Sequence, residues 1–139
     1  MMSQRGFSLV EALIALLVLS LGLVGVAAMQ LKALQSATQG YQRSVASVAA
    51  VDAQERLWGQ LARDDVDSCA DIDIEADWKA QWFADNDSNP SRNANAQESN
   101  IVPNGCEFTI EIDLGSRTGD TESDVFTYTL RLPAIGGDE

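Results

Sequence analysis

The sequence predicts an α+β protein in which a long N-terminal helix, apolar at first and amphipathic beyond, packs on a small antiparallel β-sheet head. Three observations carry that prediction. Residues Phe7 to Met29 form an apolar run of twenty-three positions with a single charge, Glu11. The chain then steps through apolar residues at intervals of three and four, the period of a helix face. Near the C-terminus two segments alternate apolar and polar side chains, the period of a half-buried strand.

A length of 139 residues is that of one domain, or of one domain with an appendage. Nine basic residues against twenty-one acidic ones leave a net charge of −12, which argues against nucleic acid as a direct partner. The absence of histidine excludes catalytic triads that use one, zinc–imidazole sites and imidazole pH switches. Two cysteines, Cys69 and Cys106, allow at most one internal disulfide. The charge is unevenly divided. Residues 1–63 hold five basic and three acidic side chains, a net of +2, whereas residues 64–139 hold four and eighteen, a net of −14.

The apolar run comes first. As a helix it extends about 34 Å, enough to cross a hydrocarbon core. A cleaved secretory leader is the alternative, with Val26-Ala27-Ala28 as a small-residue cleavage site. Against it stand the length of the run and Glu11. A carboxylate at membrane depth costs about 2–3 kcal/mol, so its default reading is functional. Arg5 and the amino terminus precede the span, while Lys32 and Arg43 follow it, so the basic bias is weak. A disulfide between the cysteines needs an oxidising compartment, which favours the N-terminus inside and the acidic half outside.

Arg5-Gly6-Phe7-Ser8-Leu9-Val10-Glu11, followed at once by an apolar helix, resembles the class III signal of type IV pilins and type II secretion pseudopilins. The continuation Leu19 to Val26, then Met29-Gln30, resembles the PilV-type minor pilins, the type IV pilus modification proteins. This resemblance covers about the first forty residues. It implies four segments: a leader over 1–6, a transmembrane and assembly helix over 7–29, its amphipathic continuation over 30–63 and a globular acidic head over 64–139. A prepilin peptidase would cut between Gly6 and Phe7 and methylate the new amino group of Phe7. Gly6 suits that bond because it has no side chain. Glu11 would pair with the charged N-terminus of Phe7 on a neighbouring subunit, recovering part of the several kcal/mol that each buried charge costs alone. The implied partners are the peptidase, the major pilin and other minor pilins, and the inner-membrane pilus assembly platform. The implied location is the inner membrane, crossed once with the N-terminus cytoplasmic and the head periplasmic, and then the pilus at the cell surface. Piliation, cell adhesion and twitching motility are the implied cellular roles.

Beyond the span, Leu31, Leu34, Tyr41, Val45 and Val48, with Thr38 in the series, continue the helical step. Val51, Leu57, Trp58 and Leu61 extend the apolar face, which is expected to lie against the head. One helix from Phe7 to Arg63 would reach about 85 Å. Gly22, Gly25, Gly40 and Gly59 interrupt it at about 1 kcal/mol each relative to alanine. Gly22 and Gly25 read as a segment that loosens outside the membrane, as close-packing sites, or as tolerated glycines. Many pilins carry proline in this helix; here there is none.

In the head, Cys106 to Leu114 and Val125 to Leu132 are the expected strands, joined by a polar hairpin loop over Gly115 to Asp124. Asp77 to Ala84 is expected as a short helix with Trp78 and Trp82 on one side, both as core. Asp85 to Ser99, rich in Asn, Asp and Ser, is expected as loop. A Cys69–Cys106 disulfide is the natural reading outside the cytoplasm, worth about 3–4 kcal/mol; two free buried thiols are its rival.

Other constellations are weaker. Asp85-Asn86-Asp87-Ser88-Asn89 is similar to the start of a calcium loop, but Pro90 and Ala96 stand where an EF-hand needs glycine and glutamate. Solvated acidic surface is the preferred reading for it and for the run Asp64 to Asp77. No phosphate-binding glycine loop or nucleophile elbow is present, so neither an enzyme nor a cofactor is expected, and no metal ligands are assigned. Three functions remain: a minor pilin in the tip or priming complex of a type IV pilus, a minor pseudopilin of type II secretion, and a filament-displayed binding or adhesion module.

Overall fold

The computed structural model describes residues 8–84, 89–91, 94–116 and 123–135. They form a helix α1 (Leu9–Leu61), a single 3-10 turn (Cys69–Asp71), a helix α2 (Glu75–Trp82) and strands β1 (Asn95–Asn104), β2 (Glu107–Ser116) and β3 (Ser123–Arg131). This is the expected α+β arrangement of a long apolar helix with a small antiparallel sheet. By contacts the chain divides into residues 1–39 and 40–139.

The first unit is the N-terminal part of α1. Its many leucines and alanines favour helix, and Ser20 answers its hydroxyl locally by donating to the Leu17 carbonyl at 2.8 Å. Leu9, Leu13, Leu17, Leu21 and Val24 are all exposed. By length and composition α1 is long and apolar enough to cross a membrane.

The second unit is built on the last turns of α1. Ala46, Ala49, Ala50, Ala53 and Leu57 are 0–2 % exposed and form the face that meets the head. The expected apolar face overlaps this one only in part: Leu57 is buried and Val45 and Leu61 are half-buried, as expected. Tyr41, Val48, Val51 and Trp58 remain 43–59 % exposed on the opposite side of the helix. The reason is steric. Alanine lets the helix backbone approach the sheet closely, and a face of larger side chains would hold it away.

Behind α1, Ser68 caps the 3-10 turn: its hydroxyl accepts from the Ala70 amide, and Asp71 reaches back to the Ser68 amide. Asp73 accepts the Glu75 amide at 3.1 Å just ahead of α2, which begins two residues earlier than expected. Trp78 is fully buried and stacks edge-on against Phe83, with ring centroids 5.3 Å apart. Trp82 is only half-buried, because its indole N–H turns to Asp52 on α1.

The sheet is an antiparallel meander in the order β1-β2-β3. Strand β2 lies at its centre and buries Phe108, Ile110, Ile112 and Leu114, the even positions of the predicted alternation. Strand β1 is a correction: residues 95–99 were expected as loop. Their Asn, Gln and Ser side chains have little intrinsic preference for strand, and pairing with β2 overrides it. The register shifts between Asn95 and Asn100. Ser99 fills that gap, accepting the Asp113 amide at 3.0 Å and donating to the Asn95 carbonyl at 2.8 Å. Gly105, with φ 61°, opens the two-residue turn between Asn104 and Glu107. Its second member is Cys106, expected as the first strand residue.

Candidate functional site

The chain presents two candidate sites, one in each unit. Glu11 lies in the first turn of α1, a favourable position for an acid because the helix N-terminus carries positive partial charge. Its surroundings are apolar: Leu9, Val10, Leu13 and Ile14 are 59–84 % exposed. Among the described residues the Glu11 carboxylate has no hydrogen bond or ion pair. A carboxylate on an exposed apolar helix is costly in a membrane, which marks Glu11 as a candidate functional residue. Gly6 and Phe7 lie outside the described residues.

In the head, the structure joins Cys69 to Cys106 with Cα atoms 5.2 Å apart. The bond ties the turn after α1 to the β1–β2 hairpin, and both cysteines are buried. Around it a set of polar contacts links α2 and the sheet to α1. Trp78 Nε1 donates to the Ala49 carbonyl at 2.9 Å. Asp52 Oδ2 accepts from Arg56 Nε at 2.7 Å and from Trp82 Nε1 at 2.8 Å. Arg56 also donates to Gln81, and the Tyr128 hydroxyl to Gln54. Asn89 holds the end of α2, donating to the carbonyls of Gln81 and Ala84.

Glu75 has a position that sequence reasoning missed. Its Oε1 meets Lys79 Nζ at 2.7 Å, and its Oε2 accepts the Ile101 amide of β1 at 3.1 Å. Burial pushes this carboxyl up, but the hydrogen bonds from Lys79 and Ile101 and the Lys79 charge outweigh it, so it titrates below the usual glutamate range. The i,i+4 spacing of Glu75 and Lys79 was the available signal; the bond to Ile101 had none. Arg63 and Asp65 form a two-bond fork at 2.9 and 3.0 Å on the surface, which lowers the Asp65 carboxyl through the hydrogen bond from Arg63.

The acidic run stays dispersed: Asp64, Asp65, Asp67, Asp71, Asp73 and Asp77 are exposed. Among the described residues no group of three or more acidic or cysteine side chains is placed to hold a metal ion. Residues 85–88 of the calcium-like stretch lie outside the described residues. A cavity between α1 and the sheet, lined by Gln42, Val45, Ala46, Ser91, Ile112 and Leu114, measures about 10 Å³. That volume is about the space of one water molecule.

Residues 1–27 match the family described as the prokaryotic N-terminal methylation motif, the prepilin-type signal of type IV pilin-like proteins. The match includes Gly6, Phe7 and Glu11. It supports a type IV pilin-like protein, a component of a pilus or pseudopilus, and is consistent with processing by a prepilin peptidase, membrane anchoring and assembly with other pilins. No curated protein and no solved structure matches the chain.

Proposed function

We propose that this chain is a minor pilin that incorporates into a type IV pilus and promotes its assembly, in a tip or priming complex with other minor pilins. The observation that carries the reading is the methylation motif running directly into an exposed apolar helix with Glu11 in its first turn. Cleavage after Gly6 frees the amino group of Phe7, and methylation leaves it charged. In the membrane that ammonium and the Glu11 carboxylate of an adjacent subunit are each costly alone and less costly together. The pair sets axial register more than it adds stability. The exposed face of Tyr41, Val48, Val51 and Trp58 then offers apolar surface for helix packing between subunits.

Processing and assembly are tested separately. Mass spectrometry of the N-terminal peptide from host membranes is expected to find N-methylated Phe7, and Gly6→Val to abolish it. A mature-sized Gly6→Val product would move the cleavage site. Glu11→Ala is expected to be inserted and cleaved but lost from sheared filaments; incorporation at the normal level would remove the ion pair from the mechanism. Deleting the gene is expected to reduce surface pili. Intact pili with failed protein export would assign the chain to a type II secretion pseudopilus instead.

A further inference from the structure

The two edges of the head sheet are unlike each other. On β1 the outward amide of Ile101 is taken by Glu75, and Pro103 has no N–H to offer. That edge is closed. On β3 the Leu132 amide donates to the Cys106 carbonyl at 2.8 Å, and Leu130, Tyr128 and Phe126 pair with Phe108, Ile110 and Ile112. The alternation of an antiparallel ladder therefore turns the N–H and C=O of Val125, Thr127, Thr129 and Arg131 away from β2. β3 is the last strand of the sheet, and among the described residues these groups have no partner. Between its charged end residues Asp124 and Arg131 the strand carries no charge and no proline, devices that ordinarily blunt an open edge.

We propose that this edge of β3 receives an extended segment of a different subunit of the same assembly, added as a fourth antiparallel strand. The inference rests on the filament reading above. The edge also specifies the chemistry of its occupant. Phe126, Tyr128 and Leu130 face the core but are only half-buried, whereas their partners Phe108, Ile110 and Ile112 are 0–1 % exposed. A strand with apolar residues at alternate positions would complete their burial. On the other face Thr127 and Thr129 are exposed and Val125 is 46 % exposed, which suits small or β-branched uncharged neighbours. A second copy of this chain fits poorly. Its β1 edge is closed, so β3 cannot pair with it head to tail. Pairing β3 with β3 about a two-fold axis reverses residues 40–61 of α1, whereas subunits drawn from one membrane share an orientation. Two heads of charge −14 also repel.

Thr127→Pro and Thr129→Pro each remove an outward N–H and leave the backbone bonds to β2 in place, while Thr127→Val and Thr129→Val keep the backbone intact. Thr129→Pro and Thr129→Val alike lose the hydroxyl contact with Thr109 of β2 at 3.4 Å. Full-length variants expressed in the host are compared for N-terminal processing, for the Cys69–Cys106 bond and for recovery in sheared filaments. The proline variants are expected to be processed and oxidised, yet to fall at least about tenfold in the filament fraction, the loss of about 1.4 kcal/mol of binding. The valine variants are expected to match wild type. Proline variants recovered at the wild-type level overturn the proposal. If proline prevents folding, Thr127→Lys/Thr129→Lys, which keeps the strand and places charge against an uncharged neighbour, decides by the same readout. A wild-type dimer in detergent that Thr129→Pro dissolves makes the occupant a second copy and overturns the assignment. Absence of the wild-type chain from filaments overturns the filament reading itself. Normal incorporation of every variant overturns the edge alone.

Discussion

Removing the Cys69–Cys106 bond is the most quantitative test of the head. The bond spans a sequence separation of 37, and the loop it closes contains α2 and β1. Loop-closure entropy for about 37 residues is about 13 cal/mol/K, which is about 4 kcal/mol at 25 °C. Both cysteines are buried, at 1 % and 8 % exposure, so alanine also forfeits some packing. A small domain has only about 5–15 kcal/mol in total. Cys69→Ala/Cys106→Ala is therefore expected to lower the head's unfolding free energy by about 4 kcal/mol and its Tm by about 15–30 °C. The assay is guanidinium unfolding of the mature chain in detergent, followed by tryptophan fluorescence, since Trp78 passes from full burial to water. Each single alanine variant should cost nearly as much as the pair, because the bond is one unit. A loss below about 1 kcal/mol would refute the reasoning: the unfolded loop would then already be confined without the bond.

Three further outcomes follow from the packing. Trp78→Phe is expected to cost about 2–3 kcal/mol in the same unfolding assay, since it opens a cavity and removes the hydrogen bond to Ala49. Gly59→Ala is expected to raise head stability by about 0.4–1 kcal/mol, because a Cβ there meets nothing within 4 Å and the helix gains a better former. Glu75 gives a pH dependence of defined sign. Its carboxyl titrates lower in the folded head than in the unfolded chain, so the unfolded state binds the proton first. Its contribution is complete above the unfolded value of about 4.3 and is lost as pH falls through the lower folded value. Glu75→Gln should remove that difference, so melting profiles of the two proteins at pH 3 to 7 should converge on the acid side.

Much of the head's central strand was legible before any coordinates. The alternation from Cys106 to Leu114 places Phe108, Ile110 and Ile112 inward because successive side chains of a strand point to opposite faces. Strand β1 was not legible. Asn95 to Asn100 carries turn-forming residues, and only a neighbouring strand with free ladder groups makes them extended. The head-facing stripe of α1 misled for a related reason. Apolar spacing picks out Leu57, which the core buries, but also Tyr41, Val48, Val51 and Trp58, which it leaves exposed, because close approach to a sheet selects alanine, which hydrophobicity ranks low. The bonds of Asp52 to Trp82, Glu75 to Ile101 and Ser99 to Asp113 were silent, since those partners lie 14 to 30 positions away in the chain.

By itself the sequence determined what is local. The motif Gly6-Phe7 to Glu11, the apolar helix behind it and the acidic surplus of the head are properties of adjacent residues, and short-range chemistry suffices to read them. Tertiary structure alone decided which helix face meets the sheet, that a third strand, β1, pairs with β2, and that among the described residues β3 has no strand on its outer side. Those outcomes depend on distances between residues far apart in the chain, and only folding sets those distances.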